Sequence, residues 1–232
     1  MAFTEAATPA AGRVALPSSL KQVAMDEIRR RIFTGELRAG MRVDQESLAE
    51  EIGMSRIPVR EALAALVGEG IIEMIPRRGA FVVPLSPQDI QDHYWMLASI
   101  SGRAAERAAQ HLSDAELNEL EELADGMERA TTEQAREQLN FRFHSLINHA
   151  AASPRLIATL KMLGSPLPLG FYESHARMAA EADAEHRELL DSLRSRSGPA
   201  ARQAMKHHFL QGANEAIAML EERGFWDGAS AT

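Results

Sequence analysis

Eight histidines and a set of clustered arginines are the side chains in this sequence best suited to chemistry. The histidines are His93, His111, His144, His149, His175, His186, His207 and His208. Asn140 and His144 stand four apart, so on a helix both project from one face and can chelate a single ion. His186 and His208 each fall midway along a later helical stretch, where an ion held inside a helical bundle needs inward ligands. Imidazole nitrogens suit Zn, Ni, Fe or Mn. Read one at a time, each histidine is more simply an ordinary surface or core-edge residue.

The arginines tell a more specific story. Arg56 and Arg60 lie one turn apart, and Arg77 and Arg78 sit together in PRRG. In LAEEIGMSRIPVREAL, Ala49, Gly53 and Val59 occupy the positions at which two helices cross through a tight turn. A small residue permits the close crossing, glycine permits the left-handed turn, and a branched apolar residue locks the second helix into the core. That second helix presents its N-terminal end outward, where the Arg56 and Arg60 forks suit a guanine edge or a phosphate pair. Arg77 and Arg78 at a hairpin tip reach the flanking backbone or minor groove. For one arginine pair alone, solvated surface charge is the simpler explanation. With turn spacing, cap and basic hairpin in register, double-stranded DNA is the expected partner.

The elements that must position these residues follow from periodicity. Val23, Ala24, Ile28 and Ile32 recur at helical spacing before Gly35. Asp44 is placed to cap a second helix that stops at Gly53, and Ser55 to cap a third, running from Arg56 to about Glu69. In that third helix Val59, Leu63, Leu66 and Val67 form an apolar stripe. Two short β-like runs, Ile71–Ile75 and Ala80–Val83, flank the PRRG turn, whose tightness Gly79 supplies. Three helices and a two-stranded hairpin make a winged helix-turn-helix over residues 18–84. Pro84, Ser86 and Pro87 then interrupt the chain. From there to residue 224 the sequence is alanine-rich and helical, with helices expected near 87–111, 114–130, 132–152, 154–164, 170–196 and 199–223. The fold class is mainly α: the winged domain followed by an antiparallel bundle of about six helices.

Composition agrees with two globular modules. The 232 residues carry a net charge of −8 with 45% hydrophobic residues. Residues 1–85 hold 11 basic and 11 acidic side chains, so the whole imbalance falls on the remainder. There is no cysteine, which excludes disulfide and thiol chemistry and fits a cytoplasmic location. No apolar run approaches the ~18 residues that would span a bilayer, so no membrane partner is expected. Residues 1–17 lack the marks of a signal peptide and read as a disordered arm, and residues 225–232 as a tail.

The stretch from about Leu20 to Val83, with GELRAG, SRIPVREAL and GIIEMIPRRGAFV, resembles the DNA-binding domain of GntR-family transcription regulators. The resemblance implies that Ser55, Arg56, Arg60, Arg78 and Gly79 contact DNA. It departs at Glu46, where some members carry a further arginine. From about Ser86 to Gly224 the chain resembles the helical FCD ligand-binding domain of the FadR-like subfamily, through Asn140-Phe-Arg-Phe-His144, Glu185-His186 and Ala204-Met-Lys-His-His208. This resemblance implies a divalent metal held by Asn140, His144, His186 and His208, which takes part in binding a small-molecule effector, an organic acid. Many members have aspartate where Asn140 stands. The stretch LASIS, with Leu97 and Ser101, replaces the usual RxxLE pattern. His149 and His207 read as bystanders, and Met96, Met162, Met178, Met205 and Met219 as core filler.

The expected function is a ligand-responsive regulator, most simply a repressor. As a homodimer it would match an inverted-repeat operator, and the hinge between modules would lie near Pro84–Pro87. A metal-dependent enzyme with a fused nucleic-acid domain is the alternative. Against it, no carboxylate stands in a recognisable general-base register, since Glu185 should point about 100° away from its neighbour His186. Phosphate loops, Ser-His-Asp triads and HExxH patterns are also missing.

Overall fold

A computed structural model of the chain describes residues 19–163 and 176–227, with side chains omitted for 176–179. The expected N-terminal arm, His175 and the break at Ser165-Pro166 lie outside the described residues, as does the side chain of Met178.

The N-terminal domain is built from α1 (Leu20–Phe33), β1 (Arg42–Val43), α2 (Gln45–Glu51), α3 (Arg56–Gly68), β2 (Ile72–Ile75) and β3 (Gly79–Val82). Ser19 caps α1 by accepting from the Gln22 N–H, and Asp44 caps α2 by accepting from Glu46 and Ser47. On α1, Ala24, Ile28 and Ile32 turn inward as their spacing predicts, but Val23 is exposed and Met25 and Phe33 are buried instead. Val67 on α3 is likewise exposed, because the 3.6-residue period carries it past the stripe that Val59, Ala62, Leu63 and Leu66 form. The sheet has three strands rather than the expected two, in the order β1-β3-β2 and antiparallel throughout. Arg42 pairs with Phe81 and Val43 with Ala80, while β2 and β3 pair from Ile72–Val82 to Ile75–Gly79. The two residues of β1 are too few to show an alternating pattern in the sequence.

The second domain contains α4 (Pro87–His111), α5 (Asp114–Arg129), α6 (Glu133–Ala150), α7 (Pro154–Leu163), α8 (Ala176–Arg194) and α9 (Gly198–Glu222). Reciprocal capping boxes, Ser86 with Asp89 and Ser113 with Glu116, start α4 and α5. The long helices α4 and α9 run closely together. A Cβ on Gly102 would sit 3.1 Å from the Arg202 carbonyl oxygen, so glycine is what lets the backbones approach. The core gathers Ala105, Ala108, Leu120, Met127, Phe143, Ile147, Leu189, Leu193, Ala201 and Met205. Met205 and Met219 are core filler, whereas Met96 and Met162 are exposed.

A smaller apolar cluster joins the domains. Phe33 of α1 meets Ile90 and Tyr94 of α4 and Ala213, Ala216, Met219 and Leu220 of α9. Residues after α9 close this contact instead of trailing as a tail. Phe225 stacks on Phe33 at 5.7 Å, and the Trp226 indole N–H donates to the Leu85 carbonyl in the linker at 2.7 Å. His93 lies at the same junction, and burial first, then the charge of Arg29, holds its pKa below the usual value.

Candidate functional sites

The helix-turn-helix geometry is set by three residues. Ala49 and Val59 are buried, and Gly53 takes φ 66, a left-handed conformation that lets the following Met54 N–H reach back to the Ala49 carbonyl. Behind it, Arg29 of α1 grips the end of α3 by donating to both oxygens of Glu69 at 2.6 and 2.7 Å. Ser55 stands at the expected N-cap position of α3 with extended backbone, but its hydroxyl has no capping partner among the described residues.

Arg56 and Arg60 are exposed on α3 one turn apart, as expected, yet they are not equivalent. Arg56 forms an ion pair with Glu46 of α2, while Arg60 makes none among the described residues. At the hairpin tip the turn is closed by Arg78 N–H donating to the Ile75 carbonyl, and Arg77 takes a left-handed conformation with φ 65. Gly79 is also left-handed, at φ 102, and a Cβ there would come within 3.2 Å of Arg42 Nε. The Arg78 guanidinium lies over the Phe81 ring at 5.2 Å, which orients it across the strand. Arg42 thus joins Arg77 and Arg78 in a basic wing. Its only sequence signal was a basic residue before a buried valine.

Inside the bundle, three elements converge. His144 of α6, His186 of α8 and His208 of α9 place ligand atoms within 4.8 Å of one another. The Nε2 atoms of His144 and His186 are 3.3 Å apart. Two ~2.0–2.1 Å metal–nitrogen bonds at a tetrahedral angle span about that distance, so the donor set fits a divalent ion. Phe143 and Phe209 wall the site, with ring centroids 5.0 Å from His186 and 5.3 Å from His144 respectively. Burial drives the pKa of His144 and of His186 well below the ordinary value, with the neighbouring His208 adding to the shift. Burial thus favours the neutral imidazole, the form whose lone pair a metal requires.

Asn140 sits one turn before His144, and its Oδ1 is buried with no partner among the described residues. An orphaned buried oxygen is costly, and a cation is one group that would satisfy it. Ser101, in the stretch that departs from RxxLE, is also buried, and its Oγ has no partner among the described residues. Glu185, which sequence reading left without a role, meets α9: His208 Nδ1 donates to Glu185 Oε2 at 2.8 Å. This contact places the proton on His208 Nδ1 and leaves Nε2 as the nitrogen with a lone pair. Arg136, which the sequence did not single out, binds both oxygens of Asp183 and the Met127 carbonyl, pinning α6 to α8. His149 is exposed and bonded to the Ser145 carbonyl, and His207 is half-exposed, 3.8 Å from Glu185.

Comparison with known proteins gives these two sites a common frame. Residues 20–82 match the family described as bacterial regulatory proteins, gntR family, and residues 92–211 match the FCD domain. The chain belongs to the GntR family of regulators and carries an FCD domain. An uncharacterized HTH-type transcriptional regulator of Mycobacterium tuberculosis is 28% identical over 173 residues, covering 75% of this chain and 71% of that protein. The HTH-type transcriptional repressor RspR of Escherichia coli is 24% identical, over 86% of this chain and 90% of its own. The structure of E. coli McbR/YncC superposes with a TM-score of 0.66 at 23% identity, over 88% of this chain and 98% of that one, and shares the fold. This GntR-family chain is a transcription regulator with a DNA-binding domain and an FCD effector domain, so the enzyme alternative falls. No helix among its described residues is long and apolar enough to cross a membrane.

Proposed function

We propose that the chain is a metal-dependent, effector-responsive repressor that binds inverted-repeat operators as a homodimer. Residues 18–84 read DNA through Ser55, Arg56, Arg60, Arg77, Arg78 and Gly79, and residues 86–224 hold the metal and effector. Asn140, His144, His186 and His208 are the metal ligands. When bound, the ion supplies a Lewis-acidic centre for an oxygen of the effector, an organic acid. The convergence of the three histidine ligand atoms carries this reading. The repressor role draws on the name of the relative RspR. Exposed Trp95 and Met96 on α4 favour a second copy covering part of this helix.

α9 couples the sites. It carries His208 in the bundle and, twelve residues on, Leu220 against the winged domain, a rigid span of about 18 Å. An effector that prefers one setting of α9 shifts the winged domains about the Pro84–Pro87 hinge, provided that it binds the two arrangements with different affinity. The test is metal content per subunit of the purified chain and of His186→Ala, alongside selection of DNA fragments with and without added metal. Near-stoichiometric metal in the wild type, its loss in the variant and recovery of inverted repeats are the expected results. Full metal retention in the variant would remove His186 from the ligand set.

A further inference from the structure

Arg56 and Glu46 form an ion pair in which both side chains are mostly exposed, at 69% and 58%. A surface pair of this kind adds little to folding. Its position matters more. Arg56 is the first residue of α3, the end of a recognition helix whose side chains reach base edges. Glu46 stands beside it, held on α2 where Asp44 accepts from the Glu46 and Ser47 N–H groups at 2.9 and 3.1 Å. Of the other acids of α2, Glu51 is turned away and bonded to Arg31 and Ser47, while Glu50 is exposed one turn beyond Glu46. Glu46 is the one set against Arg56, on a face that must meet a polyanion.

Such a charge opposes binding to any duplex, because it works against the counterion release that basic contacts drive. The loss is recovered only where DNA offers a donor to the carboxylate. In the major groove a G·C pair presents N7 and O6 of guanine as acceptors and, beside them, the N4 amino group of cytosine as a donor. The Arg56 fork matches the two acceptors, and the adjacent Glu46 carboxylate matches the donor. The ion pair holds the two groups side by side before DNA arrives. Arg60, without an acidic partner among the described residues, has no such constraint.

The geometry points to Glu46 as a specificity-determining residue that reads one G·C pair in each half-site jointly with Arg56. This rests on the placement of the α3 N-terminus in the major groove. It makes the carboxylate a reader of cytosine and a filter against non-specific DNA.

The test is selection from a fully randomised duplex library with the full-length wild type, Glu46→Gln and Arg60→Ala, followed by sequencing. Binding of one fixed random-sequence duplex is measured in parallel at rising salt. Wild type should enrich a half-site with one dominant G·C position. Glu46→Gln should keep the remaining positions but relax that one by roughly tenfold, in line with the usual discrimination of a base contact. The same variant should bind the fixed duplex several-fold more tightly, and Arg60→Ala should relax a different position. An unchanged preference in Glu46→Gln overturns the assignment while leaving DNA reading by α3 intact. So does an equal loss at every position, which marks Glu46 as a structural prop. If the wild type enriches no sequence, the placement of α3 fails and this inference falls with it.

Discussion

Replacing Glu69 tests how the winged domain holds its recognition helix. The Arg29 side chain is 9% exposed, and its Nη2 donates to both Glu69 oxygens, while Nη1 reaches Asp26 at 3.1 Å and Nε has no partner among the described residues. Glu69→Ala leaves a buried guanidinium with one half-exposed carboxylate. Breaking a buried pair typically costs about 3–5 kcal/mol. The surviving Asp26 contact and the access of water to Glu69 reduce this to about 2–3 kcal/mol. Hydrogen exchange of the α1 and α3 amides should then quicken by roughly 30- to 150-fold, with the α5 and α8 amides unchanged, because opening free energies are local. The double variant Arg29→Met/Glu69→Leu should restore most of the protection, since well-packed apolar replacements of buried pairs are often neutral or stabilising. Exchange within about threefold of wild type in Glu69→Ala would refute the idea that this pair holds α3.

Two further changes address charge and backbone. The hydrogen bond from Arg30, with a second from Arg31, lowers the Glu27 pKa from 4.5 to about 2 against the opposing effect of burial. A lowered folded pKa contributes stability that is present above pH 4.5 and is lost as pH falls towards 2. Glu27→Gln should therefore cost about 1–2 kcal/mol at pH 6 after allowance for solvent screening, with the gap narrowing below about pH 4.5 in urea titrations. A constant gap across that range would contradict the linkage. Gly53 has φ 66 and open space where a Cβ would stand, so Gly53→Ala should cost about 1–2 kcal/mol through backbone strain alone, and Gly53→Asn distinctly less. Equal thermal midpoints for the two variants would show that the turn relaxes away from the left-handed region.

The helix-turn-helix was legible because its signal is local. Ala49, Gly53 and Val59 lie within eleven residues, and each answers a demand of one turn. The bundle helices were legible for the same reason, since Ser86, Ser113 and the serine-proline breaks punctuate a strong helical period. What escaped lies between elements. The pairing of β1 with β3 joins residues almost forty apart through two residues of strand, so no periodicity announces it. Phe225 and Trp226 looked like the start of a tail because a chain end carries no pattern of its own, and only Phe33 and the Leu85 carbonyl make them structural.

The sequence by itself determined where the candidate side chains stand: arginines on the third helix and wing, and histidines on three separate helices. Side-chain type and helical spacing are local properties, and they survive in one dimension. Only the tertiary structure decided the partners of those residues. It brought His144, His186 and His208 within reach of one ion, turned Glu185 to His208, and set Glu46 against Arg56. The physical reason is that a helix sets the direction of a side chain relative to its own axis, while packing between helices decides what stands in that direction.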